Sequence, residues 1–110
     1  MNRTGKVFVN GVFAGILEEN DSNYIFKYNE NYLSLNNPFP VSLTMPPRKE
    51  PYTSRFLHPF FDGLIPEGWL LDIAERNWKI DQHDRMGLLL SVCRDCIGDV
   101  HVEPSNGRVK

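Results

Sequence analysis

The stretch Phe60-Phe61-Asp62-Gly63-Leu64-Ile65-Pro66-Glu67-Gly68-Trp69 divides the chain into two halves with different periodicities. Before it, apolar residues recur every second position. After it, they recur every third or fourth. The stretch mixes bulky apolar residues with two acids, two glycines and a proline. A plain core helix has no need of Gly63, Pro66 and Gly68 so close together. Pro66 stops one helical turn and suits the first position of the next. Glu67 suits the positive end of that new helix.

Working backwards, Lys6 to Leu17 reads as a β-hairpin. Asn10-Gly11 is a two-residue type I′ loop, because both positions need φ > 0. That loop pairs Val9 with Val12, Phe8 with Phe13 and Val7 with Ala14. Apolar pairs on both faces imply that both faces are at least partly covered. Glu18 to Asn23 is a polar turn. Tyr24 to Tyr28 is a third strand, with Tyr24, Phe26 and Tyr28 on one face. Asn29 to Asn37 is a polar, Asn-rich segment anchored by Tyr32, Leu33 and Leu35. Pro40 to Met45 alternates as a fourth strand, with Val41, Leu43 and Met45 on one side, closed by Pro46-Pro47. Arg48 to Ser54 reads as a charged loop.

Working forwards from Arg55, Phe56, Phe60 and Leu64 fall at i, i+4 spacing, with Leu57 and Phe61 beside them. Leu70, Ile73, Ala74 and Trp78 make the stripe of the next helix. Asp81 and Asp84 resemble a capping pair for a last helix whose buried stripe is Met86, Leu89, Leu90 and Cys93. Gly98 ends it. Val100 and Val102 alternate with polar residues as a closing strand. The expectation is an α+β domain: a small antiparallel or mixed sheet with an N-terminal hairpin, two to three helices against it, and a C-terminal strand. A single domain spans 1–110, with an ordered core of about 5–104 and a tail at 105–110. Phe60, Phe61, Leu64, Ile65 and Trp78 are the expected core anchors.

The chain has 110 residues, 12 basic and 14 acidic side chains, and so lacks the clustered positive charge of a nucleic-acid reader. No apolar run reaches the ~18 residues that span a bilayer, and the N-terminus has no apolar signal region. Cys93 and Cys96 are too close together for a disulfide framework. These features point to a reducing cytoplasm. Cys93-Arg94-Asp95-Cys96 has the form of a redox or zinc motif. A redox pair normally opens a helix, however, and zinc needs two further ligands. His58, His83 and His101 show no ligand spacing. Asp62 and Glu67 are not on one helical face, which argues against paired acid/base work. No phosphate loop is present. The expectation is a non-enzyme without cofactor or metal.

Trp69 is the residue with two readings. It flanks the core stripe, or it stands at the solvent edge of the helix start, where an exposed tryptophan is a typical binding anchor.

Four segments together carry a resemblance. They are Val7 to Leu17, Val41 to Pro46, Phe60 to Gly68, and Arg94-Asp95-Cys96-Ile97-Gly98-Asp99-Val100. In order and spacing they resemble the N-terminal subdomain of HipA-type toxin kinases, from about Lys6 to Val102. The kinase core that follows in such toxins has no counterpart in these 110 residues. The chain is therefore similar to the small HipS antitoxins of tripartite HipBST systems. The resemblance implies a HipT-like Ser/Thr kinase as the inhibited partner and a HipB-like helix-turn-helix protein as the DNA-binding third member. Asp62, Pro66, Glu67, Gly68 and Trp69 become the expected kinase-facing residues, and Trp69 is where this chain departs from the family pattern. The alternatives are an N-terminal fragment of a longer HipA-like kinase and a Cys-x-x-Cys redox or metal module.

Overall fold

A computed structural model describes residues 3–65, 84–92 and 100–104. The described elements are β1 (Arg3–Val9), β2 (Val12–Glu19), β3 (Tyr24–Tyr28), α1 (Glu30–Leu33), β4 (Tyr52–Ser54), α2 (Pro59–Asp62), α3 (Arg85–Val92) and β5 (Val100–Pro104). The strands form one antiparallel sheet in the order β4-β3-β2-β1-β5, so the domain is α+β. The closing strand Val100–Pro104 lies beside β1, at the opposite edge from β4.

The hairpin turns where expected, with Asn10 at φ 52° and Gly11 at φ 80°. Val9 pairs with Val12 and Phe8 with Phe13, but Val7 pairs with Gly15 rather than Ala14. Ala14 is the extra residue of a β-bulge. The bulge turns Ala14 and Gly15 inward together, and both are buried. It also frees the Ala14 carbonyl to accept the Asn29 amide at 2.8 Å, where the chain leaves β3. Gly15 has no room for a side chain, since a Cβ there would meet the Lys27 carbonyl at 2.4 Å.

One face of the sheet carries Val7, Val9, Leu17, Phe26, Tyr28, Val100 and Val102, all buried. Met86, Leu88 and Leu89 of α3 and Phe61 of α2 belong to the same core. Leu90 is only partly buried against it. On the other face Phe8 and Phe13 are half-buried, and Phe8 stacks flat on His101 at 4.7 Å.

Three expectations are corrected by tertiary contacts. Pro40 to Met45 is not a strand but a tight turn with a single bridge between Ser42 and Met45. The Tyr28 hydroxyl accepts the Val41 amide at 2.9 Å and donates to the Met45 carbonyl, holding both ends from within the core. Val41 and Met45 are buried, while Leu43 is 95% exposed at the tip. The Arg48–Ser54 segment is not all loop: Tyr52–Ser54 forms β4 against β3. Arg48 lies over the Tyr52 ring at 3.7 Å and Tyr52 donates to the Pro46 carbonyl at 2.6 Å, so local contacts orient a strand too short to show a period. Within the Asn-rich 29–37 segment, Glu30–Leu33 makes one helical turn that buries Tyr32 and half-buries Leu33, while Leu35 stays exposed.

Candidate functional site

The chain leaves β4 at Ser54 and immediately exposes Arg55 and Phe56, with Phe56 at 75%. Leu57 and His58 then turn inward. His58 precedes α2, with Pro59 at the first helical position. The His58 Nε2–H donates to the Tyr52 carbonyl at 2.8 Å, which ties the start of α2 back to β4. Its Nδ1 is buried without a partner. Burial therefore keeps this imidazole neutral, with its pKa below the ordinary value.

The helical stripe is rotated one position from the expected one. Leu57, Phe61 and Ile65 are buried, Phe60 and Leu64 only partly, and Phe56 faces solvent. Both stripes have i, i+4 spacing. The choice falls to Phe61, whose ring packs on Phe26 at 5.4 Å and against the edges of Phe60 and His58. The regular helix lasts one turn, and 3₁₀-like bonds from Leu64 to Phe61 and from Ile65 to Asp62 carry the backbone on to Ile65.

Two ion-pair groups brace this end of the sheet. Arg85 Nε meets Asp62 Oδ1 at 2.6 Å, joining α3 to α2. Arg3 forks onto Asp84 with bonds of 2.9 and 2.7 Å and reaches Glu19 at 2.6 Å. Asp84 also accepts the Gly87 amide at 3.1 Å, the bond of an N-cap at the start of α3, while its expected capping partner Asp81 lies outside the described residues. The Arg3 hydrogen bond, with help from that amide, holds the Asp84 carboxyl below the usual range. The bond to Asp84, and then the one to Glu19, hold Arg3 further above its ordinary value.

Beside the Asp62–Arg85 brace lies a groove of about 560 Å³ lined by Tyr24, Arg55, Phe56, Leu57, Pro59, Asp62 and Arg85. It offers an exposed aromatic, an ion pair and a second arginine, which suits protein contact. Of the expected partner-facing residues, Asp62 lines this groove. Pro66, Glu67, Gly68 and Trp69 follow Ile65 directly and lie outside the described residues, as do the expected core residue Trp78 and the pair Cys93 and Cys96. Among the described residues, no group of three or more His, Cys, Asp or Glu side chains could hold a metal ion. Nor is any described helix long and apolar enough to cross a membrane. Tyr24, Arg55, Phe56 and Arg85 were not foreseen as groove residues. The competing Leu57/Phe61/Ile65 stripe was the available signal for Phe56. Nothing local marks the arginines.

The family model described as "HipA N-terminal domain" matches residues 5–103. The chain belongs to the HipA N-terminal domain family. A solved structure described as the N-terminal domain of HipA toxin superposes with a TM-score of 0.75 at 33% identity, covering 96% of this chain and 95% of that one. An uncharacterised protein of Haemophilus influenzae is 36% identical over 101 residues, 92% of each chain. Y4mE of Sinorhizobium fredii, which is named as a kinase, is 45% identical over 42 residues, 38% of this chain but 10% of that protein. The matched family is an N-terminal domain, not a catalytic core.

Proposed function

We propose that this HipA N-terminal domain is an antitoxin of the HipS type. It binds a HipT- or HipA-like Ser/Thr kinase by protein–protein contact and inhibits it without catalysis of its own. The carrying observation is the match, across 96% of the chain, to a domain that belongs to a HipA toxin. The H. influenzae relative, matched over 92% of its own length, supports a role for the domain as a separate protein. A domain that packs on a kinase core within one chain keeps an interface for that core when it is separate. The groove beside Phe56 and Asp62 offers such a surface. Ile65 is buried, so the backbone is anchored up to the residue before Pro66. The Pro66-Glu67-Gly68-Trp69 segment contacts the kinase with Trp69 as its anchor, either occluding the active site or holding the lobes in an inactive arrangement. A HipB-like helix-turn-helix protein is the third partner and makes the DNA contacts, in the cytoplasm.

The test is co-expression with a HipT-like Ser/Thr kinase, followed by co-purification and an ATP-dependent phosphorylation assay. A stable complex with suppressed phosphate transfer is expected. A kinase that neither binds the chain nor slows in its presence would sink the antitoxin reading.

The Y4mE match supports a second reading, in which the domain is the N-terminal piece of a longer HipA-like kinase. An in-frame kinase core directly downstream would favour it over the antitoxin.

A further inference from the structure

A second apolar surface lies at the opposite end of the sheet from the Phe56 groove. The strand registers place Arg3, Glu19, Tyr24 and Ser54 at one end, and Val9, Val12 and the Asn10-Gly11 turn at the other. At that turn end a groove of about 320 Å³ has Val9 and Tyr32 as its buried members. Its walls are Val12, Leu35 and Phe39, exposed by 47%, 48% and 66%. Three of the five large hydrophobic residues most exposed among the described residues thus converge on one concavity. An apolar concentration of this kind marks an interaction site more often than chance exposure does.

The groove is preformed. The Tyr32 hydroxyl donates to the Phe39 carbonyl at 2.7 Å, and the Leu35 amide donates to the Tyr32 carbonyl at 3.1 Å. The 34–39 loop is therefore pinned to α1 at both ends. Asn37, at φ 57°, takes the left-handed turn that brings the loop back, a conformation asparagine tolerates.

Its chemistry selects the occupant. None of the nine lining residues carries a formal charge, in a chain whose composition is 24% charged. Asn10, Asn36 and Asn37 supply the polar rim, and the hydrogen bonds of the described residues leave their side-chain amides uncommitted. Each such amide offers two donors and an acceptor, the complement of a peptide group. A helix satisfies its own peptide groups, whereas an extended segment leaves them open to such a rim. The groove is a concavity of about 320 Å³, which takes a few side chains rather than a whole folded surface. This favours one segment of a partner over a second copy of this chain.

We infer that this groove is a separate anchoring site for an uncharged, apolar, extended segment of the inhibited kinase. The inference rests on the antitoxin reading and assigns a second contact to it. The groove holds the kinase by apolar burial and amide bonds, independently of the Phe56 end.

The test measures the affinity of the full chain for the same HipT-like kinase, for wild type, Phe39→Ser and Val12→Thr. Both substituted side chains are substantially exposed, and Val12→Thr keeps a β-branched residue on the strand, so the variants should melt close to wild type. The expected result is a loss of about tenfold or more for Phe39→Ser, with Val12→Thr falling in between. The lost part should also be insensitive to salt between about 0.1 and about 0.5 M. If wild type binds and both variants bind equally well, the groove proposal is overturned and the antitoxin reading stands. A wild type that fails to bind overturns both. A loss that vanishes at high salt overturns the uncharged occupant. A wild-type homodimer dissolved by Phe39→Ser overturns the kinase segment in favour of a second copy.

Discussion

Single side chains decide several features that periodicity alone misassigns. Tyr28 is buried, and burial pushes its phenol up to about 12, so the hydroxyl remains a donor throughout the neutral range. It bridges the Val41 amide and the Met45 carbonyl, which converts an alternating run into a turn. Tyr28→Phe strands both backbone groups in a buried setting. The expected cost is about 1–3 kcal/mol, read as a lower urea midpoint with little change in slope. His58 supplies a pH dependence. In the unfolded chain it titrates near 6.5, and in the folded chain burial holds it lower. Above pH 6.5 both states are neutral and nothing is lost. As pH falls below 6.5 the unfolded chain takes up the proton first, so stability declines until the folded value is reached. Chemical denaturation of wild type and His58→Leu at pH 7 and pH 5.5 checks this. The wild type should lose stability across that interval, and the variant should show a flatter profile whatever its absolute stability.

At the scale of elements, the short helices owe their positions to partners in the sheet. A single turn such as α2 is too short to be stable alone, since helix nucleation is costly. Phe61 against Phe26, and His58 bonded to β4, hold it in place. The start of α3 depends on Asp84, which caps the helix and receives the Arg3 fork from β1. Asp84→Ala removes the cap and, among the described residues, leaves the Arg3 guanidinium with Glu19 alone, so a loss of about 1–2 kcal/mol is expected near pH 7. Its folded carboxyl lies below the unfolded value of about 3.9. The contribution is therefore complete above that pH and fades as pH falls through the lower folded value. The wild-type advantage over Asp84→Ala should shrink in melts below pH 4. Equal advantages at pH 7 and pH 3 would show that the carboxylate charge plays no part.

For the molecule as a whole, the sheet separates two surfaces of different character. The Phe56 end is aromatic and charged, with Arg55, Asp62 and Arg85 around it. The Phe39 end is apolar with an amide rim. A kinase held at one end and blocked at the other would lose inhibition when either contact is cut. Trp69→Ala should weaken neutralisation of the kinase by roughly 30-fold while leaving the fold intact, the usual scale for truncating a tryptophan anchor. Growth of cells expressing the kinase together with each antitoxin variant measures it. Full protection by Trp69→Ala would remove Trp69 from the interface.

What the sequence determined by itself is whatever rests on neighbouring residues. Asn10-Gly11 specifies its turn through the φ > 0 requirement, and the strands around it follow from period-two burial. The closing Val100–Pro104 strand shows the same alternation. The motif order from Val7 to Val100 carried the family. Tertiary structure decided the rest, because each remaining choice was between locally equivalent options. The bulge at Ala14 serves a carbonyl bond to Asn29, fifteen residues away. The buried helical stripe passed from Phe56, Phe60 and Leu64 to Leu57, Phe61 and Ile65 because Phe26 waits on one side only. In the deciding stretch, therefore, Phe60 and Leu64 became flanks and Phe61 and Ile65 the anchors. Phe56 was left in solvent, beside Asp62, where a partner can reach it.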